Sequence, residues 1–334
     1  MASKNRVVQA TDTDALLSKV SAVRAGYLDD ELAELFVPSG TDAGRKLPLI
    51  NRGTYVRATA ISALVEAFLE PSTEPDADQR RQIVSLGAGS DTRPFKYLPA
   101  HAQLVYHEVD FAASTARKAA TIAAQPRLAA ALDAPEYDLA APPAFRPSPP
   151  VRSVSSGRYY LHGADLRRLG TAAAVAALGL APDVPTLVLS ECCLCYLEPE
   201  ATHALLRALA AAVGPVGVVS YEPFGGDDAF GAVMVQNLAA RGISMPALTL
   251  YPDLHRQLER LRGLGFGAAA GANVRFIHDD WLDARERARI DGLELLDERE
   301  EFDLLAAHYG VAWATSGGFR GAFAGWKRFH AQDS

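Results

Sequence analysis

Apolar positions recur at helical spacing over 12–36, through Ala15, Leu16, Val20, Val23, Leu32, Leu35 and Phe36, and again over 54–69, through Val56, Ile61, Leu64, Val65, Phe68 and Leu69. A three-and-four repeat of this kind lays one apolar stripe along a helix. Residues 38–48, bounded by prolines, separate the two segments, and Pro71 with the polar run 72–81 closes the second. Beyond that run the pattern changes to short apolar stretches at 83–86, 104–109, 159–162, 186–190 and 216–221, each read as a buried strand and separated from the next by helix-length sequence. Residues 133–150 break the rhythm: rich in proline and alanine and without periodicity, they predict a surface loop. A helix over 254–264, a strand over 272–277, a helix over 298–308 and a last strand over 311–315 complete the reading. Alternating strands and helices predict an α/β fold with a doubly wound, parallel, Rossmann-like sheet over 81–334. An N-terminal helical layer or lid over 1–80 precedes it, the two forming one continuous structural domain.

The strand at 83–86 runs into Gly87-Ala88-Gly89-Ser90-Asp91-Thr92. Glycines at such a turn let the backbone approach a ligand and adopt dihedrals that a Cβ forbids, and the following helix offers free N–H groups. About twenty residues on, the next strand ends in Asp110, the spacing at which a carboxylate meets a ribose. A dinucleotide fingerprint requires a third glycine where this chain has Thr92, and acids flank the turn, so S-adenosylmethionine suits it better than NAD. Two later strand ends carry Asp165, placed to accept from an adenine amino group, and Glu191 followed by Tyr196. In a doubly wound sheet such ends line one crevice.

Composition narrows the class. The 334 residues, 49% of them hydrophobic, suffice for a large core, and a formal charge of −7 argues against a broad basic surface for nucleic acid or anionic lipid. The start of the chain lacks the apolar core of a secretory signal, and no apolar run is long enough to span a bilayer, which predicts a soluble, cytoplasmic protein. Cys192, Cys193 and Cys195 crowd into one segment without a second ligand pair, so they are expected as buried reduced thiols and no metal is expected.

Taken in order, Asn51-Arg52-Gly53-Thr54-Tyr55-Val56-Arg57, the 86–92 turn, Glu108-Val109-Asp110-Phe111, Gly163-Ala164-Asp165-Leu166-Arg167, Ser190-Glu191-Cys192 with Tyr196, and Tyr221-Glu222 resemble the leucine carboxyl methyltransferases. Residues 293–298 and 308–315 continue the likeness. The resemblance implies a class I methyltransferase that transfers a methyl group from S-adenosylmethionine to the α-carboxylate of the C-terminal leucine of the protein phosphatase 2A catalytic subunit. It further implies that Arg57 and Lys19 hold the donor's carboxylate, Gly87 packs on its amino-acid part, Asp110 binds the ribose, Asp165 and Leu166 hold the adenine, and Glu191 meets the amino-acid end. The insertion at 133–150 and the alanine-rich 171–179 depart from the family.

A C-terminal carboxylate, with a pKa of about 3.5, is already ionised at neutral pH and needs no general base, so none of the eight histidines is assigned as one. The enzyme's task is alignment and exclusion of water. Tyr196 is the candidate for orienting the reacting centre, beside Arg57. The expected enzyme is a monomer with a protein partner. Alternatives are the related carboxyl methyltransferase of wybutosine synthesis in tRNA, whose long propeller extension this chain is too short to hold, a methyltransferase of small carboxylic acids, and a non-catalytic binder of the same cofactor.

Overall fold

The computed structural model describes residues 2–70, 80–132, 151–152, 157–297, 299–318 and 321–332. The predicted loop at 133–150 and most of the linker at 72–81 lie outside the described residues. The first helix, α1 (Ala2–Arg24), begins ten residues before the expected start and ends earlier than expected. Gly26 stops it: with φ at +86°, its N–H bonds to the Val23 carbonyl while the Tyr27 N–H reaches the Ala22 carbonyl, the paired closure typical of a left-handed glycine. The apolar positions from Leu32 to Phe36 fall instead in a short 3₁₀ turn, Glu31–Phe36. The second helix, α2 (Pro48–Leu69), starts on the proline that was expected to precede it, since the first helical turn does not need the missing N–H.

Eight strands follow among the described residues: β1 (Arg81–Leu86), β2 (Leu104–Asp110), β3 (Val151–Arg152), β4 (Tyr159–Gly163), β5 (Thr186–Glu191), β6 (Val216–Pro223), β7 (Ala268–Asn273) and β8 (Tyr309–Thr315). Their order across the sheet is β3-β4-β2-β1-β5-β6-β8-β7. The five predicted core strands, β4, β2, β1, β5 and β6, are parallel, as the alternation requires. The sheet is nevertheless mixed: β8 inserts antiparallel between β6 and β7, and two-residue β3 pairs antiparallel with β4. The strand expected at 272–277 ends at Asn273, whose side chain accepts from the Phe276 N–H at 2.7 Å and starts a helical turn there.

Alternate residues of each strand feed two separate cores. Ile83, Leu187, Leu189 and Trp313 join α2 and the helix Arg299–Ala307 on one face, while Val84, Val188, Ala312 and Ala314 meet the helices Pro199–Ala212 and Leu254–Gly263 on the other. Both faces are thus covered, which is why the central strands read as unbroken apolar runs. The strand order reverses direction between β1 and β5, so the crossovers leave the sheet on opposite sides and open a crevice at the carboxyl ends. This is the class I methyltransferase arrangement.

One buried ion pair ties that edge together. On the helix α3 (Arg93–Ala100) side of β2, Glu108 is fully buried and accepts from Lys118 of the next helix, α4 (Ala112–Ala124), at 2.7 Å and from the Tyr159 hydroxyl at 2.6 Å. Lys118 also donates to the Asp91 carbonyl at 2.7 Å, so it fixes the turn after β1 to β2. Burial pushes the Glu108 carboxyl up to about 7 even though Lys118 draws it down. Removing one partner of such a pair leaves an uncompensated charge. The K118M substitution is therefore expected to cost about 3–5 kcal/mol at pH 8 in urea denaturation. A carboxyl raised in the folded state favours folding when protonated, so the deficit should shrink as the pH falls from 8 toward 5; a deficit independent of pH would contradict the assignment.

Candidate active site

The crevice at the carboxyl ends of β1, β2, β4 and β5 encloses a cavity of about 470 Å³. Lys19, Arg57, Gly87, Asp110, Asp165, Leu166, Glu191 and Tyr196, which belong to six separate segments, all line it. α1 and α2 form one wall, through Asp12, Asp14 and Lys19 and through Thr54 and Arg57, and the helix Ala229–Ala240 closes another through Leu238.

The floor is the turn after β1. Gly87 and Gly89 both have positive φ, +64° and +45°. A Cβ on Gly87 would lie 2.5 Å from Cys193 Sγ, and one on Gly89 only 2.3 Å from Asp12 Oδ1, so neither position has room for a side chain. The Gly89 N–H donates to Asp110 Oδ2 at 2.8 Å and the Phe111 N–H to Oδ1 at 2.6 Å. Each carboxylate oxygen of Asp110 is thus oriented by one backbone donor and keeps a lone pair toward the cavity. Burial raises the Asp110 pKa, and the two backbone donors oppose it. From α1, Asp12 accepts from the Ser90 N–H and hydroxyl at 2.9 and 2.8 Å, which holds that helix against the turn.

At the end of β5, Glu191 stands between two guanidinium groups. Arg57 Nε is 2.9 Å from Oε1, and Arg93 Nη1 donates to Oε2 at 2.9 Å and to Asp91 Oδ2 at 3.0 Å. The Arg57 contact is one of proximity: its buried Nε–H has no aligned acceptor, while the guanidinium lies over the Tyr221 ring, 5.7 Å from its centre. Below the cavity, the fully buried Glu222 accepts the Leu194 and Cys195 N–H groups at 3.1 and 3.0 Å and so shapes the turn that carries Tyr196. Burial, above all, pushes the Tyr196 hydroxyl pKa up, and the group stays protonated.

Two expected site residues are engaged by neighbours. Lys19 donates to Thr92 Oγ1 at 2.7 Å and pairs with Asp30 at 2.5 Å. Asp165 caps the short turn Leu166–Arg168 and takes Arg167 on both oxygens, Nε at 2.8 Å and Nη2 at 2.5 Å. Arg93, Asp12 and Lys118 were not anticipated. Arg93 stands one residue beyond the glycine motif, but its partners Asp91 and Glu191 come from two elements, and nothing in the local pattern joins them. The three cysteines are free thiols with pKa values raised by burial. Among the described residues no histidine lines the cavity and no group of histidine, cysteine or carboxylate side chains is arranged to hold a metal ion. No helix among them is long and apolar enough to cross a membrane.

The arrangement fits a zwitterionic nucleoside. A carboxylate, Asp110, lines the space beside a side-chain-free turn, and a cation and an anion, Arg57 and Glu191, line the same cavity with the Arg57 Nε–H unsatisfied.

Comparison with known proteins identifies the family. The model of the leucine carboxyl methyltransferase family matches residues 7–210. Leucine carboxyl methyltransferase 1 of Yarrowia lipolytica is 43% identical over 94% of this chain and 98% of its own length, and that of Aspergillus fumigatus is 41% identical over 99% and 89%. Human tRNA wybutosine-synthesizing protein 4 is 37% identical over 93% of this chain, which spans 44% of that protein. With the strand order and the family match in agreement, the chain belongs to the leucine carboxyl methyltransferase family and is an S-adenosylmethionine-dependent carboxyl methyltransferase.

Proposed function

We propose that this protein methylates the α-carboxylate of the C-terminal leucine of the protein phosphatase 2A catalytic subunit, acting in the cytoplasm as a monomer. The observation that carries the reading is the convergence of Arg57, Asp110 and Glu191 on one cavity in a chain that aligns with leucine carboxyl methyltransferases over nearly its whole length. In this reading Asp110 accepts the ribose hydroxyls, Leu166 and Asp165 flank the adenine, Gly87 lets the amino-acid part lie on the backbone, Glu191 meets the ammonium, and Arg57 meets the carboxylate. Lys19 serves the same carboxylate only if it leaves Asp30, and otherwise supports the turn through Thr92.

Bound S-adenosylmethionine supplies an electrophilic methyl group on a sulfonium. The chain's own work is to place an already ionised carboxylate in line with that methyl and to keep water from solvating the anion. No proton has to move, in keeping with a cavity lined by no histidine among the described residues. Tyr196, protonated and beside the Glu191 strand end, donates a hydrogen bond that orients the reacting carboxylate. The helical layer of residues 1–80 acts with the core of residues 81–334 as one structural domain and covers the donor.

Incubation with methyl-labelled S-adenosylmethionine should place base-labile label on intact phosphatase 2A catalytic subunit and none on the subunit lacking its terminal leucine. Label on neither, with label on tRNA or on free carboxylic acids, would replace this reading, and the likeness to the human wybutosine protein makes tRNA the first alternative to try. Two substitutions divide the site. D110A should weaken donor binding by calorimetry roughly 10- to 100-fold through lost charge-assisted hydrogen bonds. Y196F should lower turnover with donor affinity unchanged, and full turnover would remove Tyr196 from the reaction.

A further inference from the structure

Arg93 lines the cavity and bonds Glu191, the residue that meets the donor's ammonium in the reading above. Its side chain is 9% exposed, and the guanidinium bridges Asp91, in the turn after β1, to Glu191, at the end of β5. Both bonds are aligned, and both acceptors belong to the rigid edge of the sheet. Arg57 differs on each point. It comes from α2, it meets the other oxygen of Glu191 without an aligned hydrogen bond, and its Nε–H is left without an acceptor in a buried place. Of the two cations on Glu191, one is locked and the other is poised to leave.

The charges explain why that division is useful. Arg57, Arg93, Asp91 and Glu191 form a neutral set of two cations and two anions. The amino-acid end of the donor is itself a neutral pair. When it enters, the single Arg57–Glu191 contact can be exchanged for two, Arg57 with the incoming carboxylate and Glu191 with the incoming ammonium. The exchange leaves Glu191 adequately compensated only because Arg93 stays on Oε2. Burial works to raise the Glu191 pKa, and Arg93, more strongly than Arg57, overcomes it and holds the group below its ordinary value. Burial likewise opposes ionisation of Asp91, and Arg93 leads the groups that restore it.

We infer that Arg93 is a positioning residue for methyl-donor binding: it holds Glu191 in place while Arg57 changes partner from Glu191 to the donor's carboxylate. Without Arg93, Glu191 would be compensated by Arg57 alone, which would stay on it and be withdrawn from the donor. The inference rests on the donor-binding reading above and concerns only the amino-acid end of the ligand.

Two probes separate it from a structural role. S-Adenosylhomocysteine carries the amino-acid end, and 5′-methylthioadenosine keeps the ribose and adenine but has neither ammonium nor carboxylate. Calorimetric or competition titrations of the full-length protein should show R93M binding S-adenosylhomocysteine about 10- to 100-fold more weakly than wild type, with methylthioadenosine affinity changed less than about twofold. R93K, which keeps the charge but puts a compact ammonium on a flexible stem in place of the planar guanidinium whose Nη1 bridges the two carboxylates, should show a smaller loss confined to the same ligand and covers the case in which R93M does not fold. R57M should share the selectivity for S-adenosylhomocysteine. Equal losses for both ligands in R93K would make Arg93 merely structural, and unchanged affinity for both would overturn the inference. Failure of the wild-type protein to bind S-adenosylhomocysteine at all would overturn the donor reading itself, a different result from either.

Discussion

The site depends on a turn that has no room for side chains. Strand β1 must stop, reverse and begin helix α3 within a few residues while leaving its backbone open to the crevice. Gly87 and Gly89 do this in left-handed conformations, one pressed against Cys193 and the other against Asp12. The turn is then fixed from four sides: Asp110 on the Gly89 N–H, Asp12 on Ser90, Lys118 on the Asp91 carbonyl and Arg93 on the Asp91 side chain. Each of these groups is held elsewhere by a strand, a helix or an ion pair, so the local conformation at two glycines is set by contacts drawn from α1, β2, α3 and α4. In return, the turn leaves Asp110 and Glu191 lining one cavity.

Several charged groups are buried around this turn, and the arrangement makes their burial tolerable. Isolated charges in a dry interior are costly, and those here occur in compensated sets: Glu108 with Lys118, and Asp91 and Glu191 with Arg93 and Arg57. The sets are unequal in tightness. The Glu108 pair is closed by Tyr159 and serves the frame, whereas the Arg57 contact is loose and faces the cavity. A site whose cations and anions cancel is suited to a zwitterionic ligand, and a nucleophile that is already an anion asks for placement more than for proton transfer. In the proposed mechanism preorganised charge answers that need without a titrating base.

Much of this was legible in the sequence, for reasons visible in particular residues. The five parallel strands show as apolar runs because both faces of each are covered, and Gly87, Asp110, Asp165 and Glu191 stand at their ends because that is where a doubly wound sheet opens. Other features left weak traces. β7 is built from Ala268-Ala269-Ala270-Gly271-Ala272-Asn273, poor strand formers that owe their place to pairing with β8, so the apolar residues after Asn273 drew the expected strand past its end, to 277. The antiparallel insertion of β8 is a matter of tertiary pairing that periodicity does not encode. Gly26 carried the signal for the end of α1, but the apolar spacing continued past it. The ionic set at Glu191 unites residues 57, 91, 93 and 191, and sequence separation alone hid it.

In the proposed mechanism, rate comes from alignment of an ionised carboxylate, with no proton in flight. The most direct test is the single-turnover rate of methyl transfer to the protein carboxylate in light and in heavy water. Rates equal to within about 20% are expected, because methyl transfer to an anion moves no exchangeable proton. A rate slowed about twofold or more in heavy water would mean that a proton moves in the rate-limiting transition state, and would contradict it.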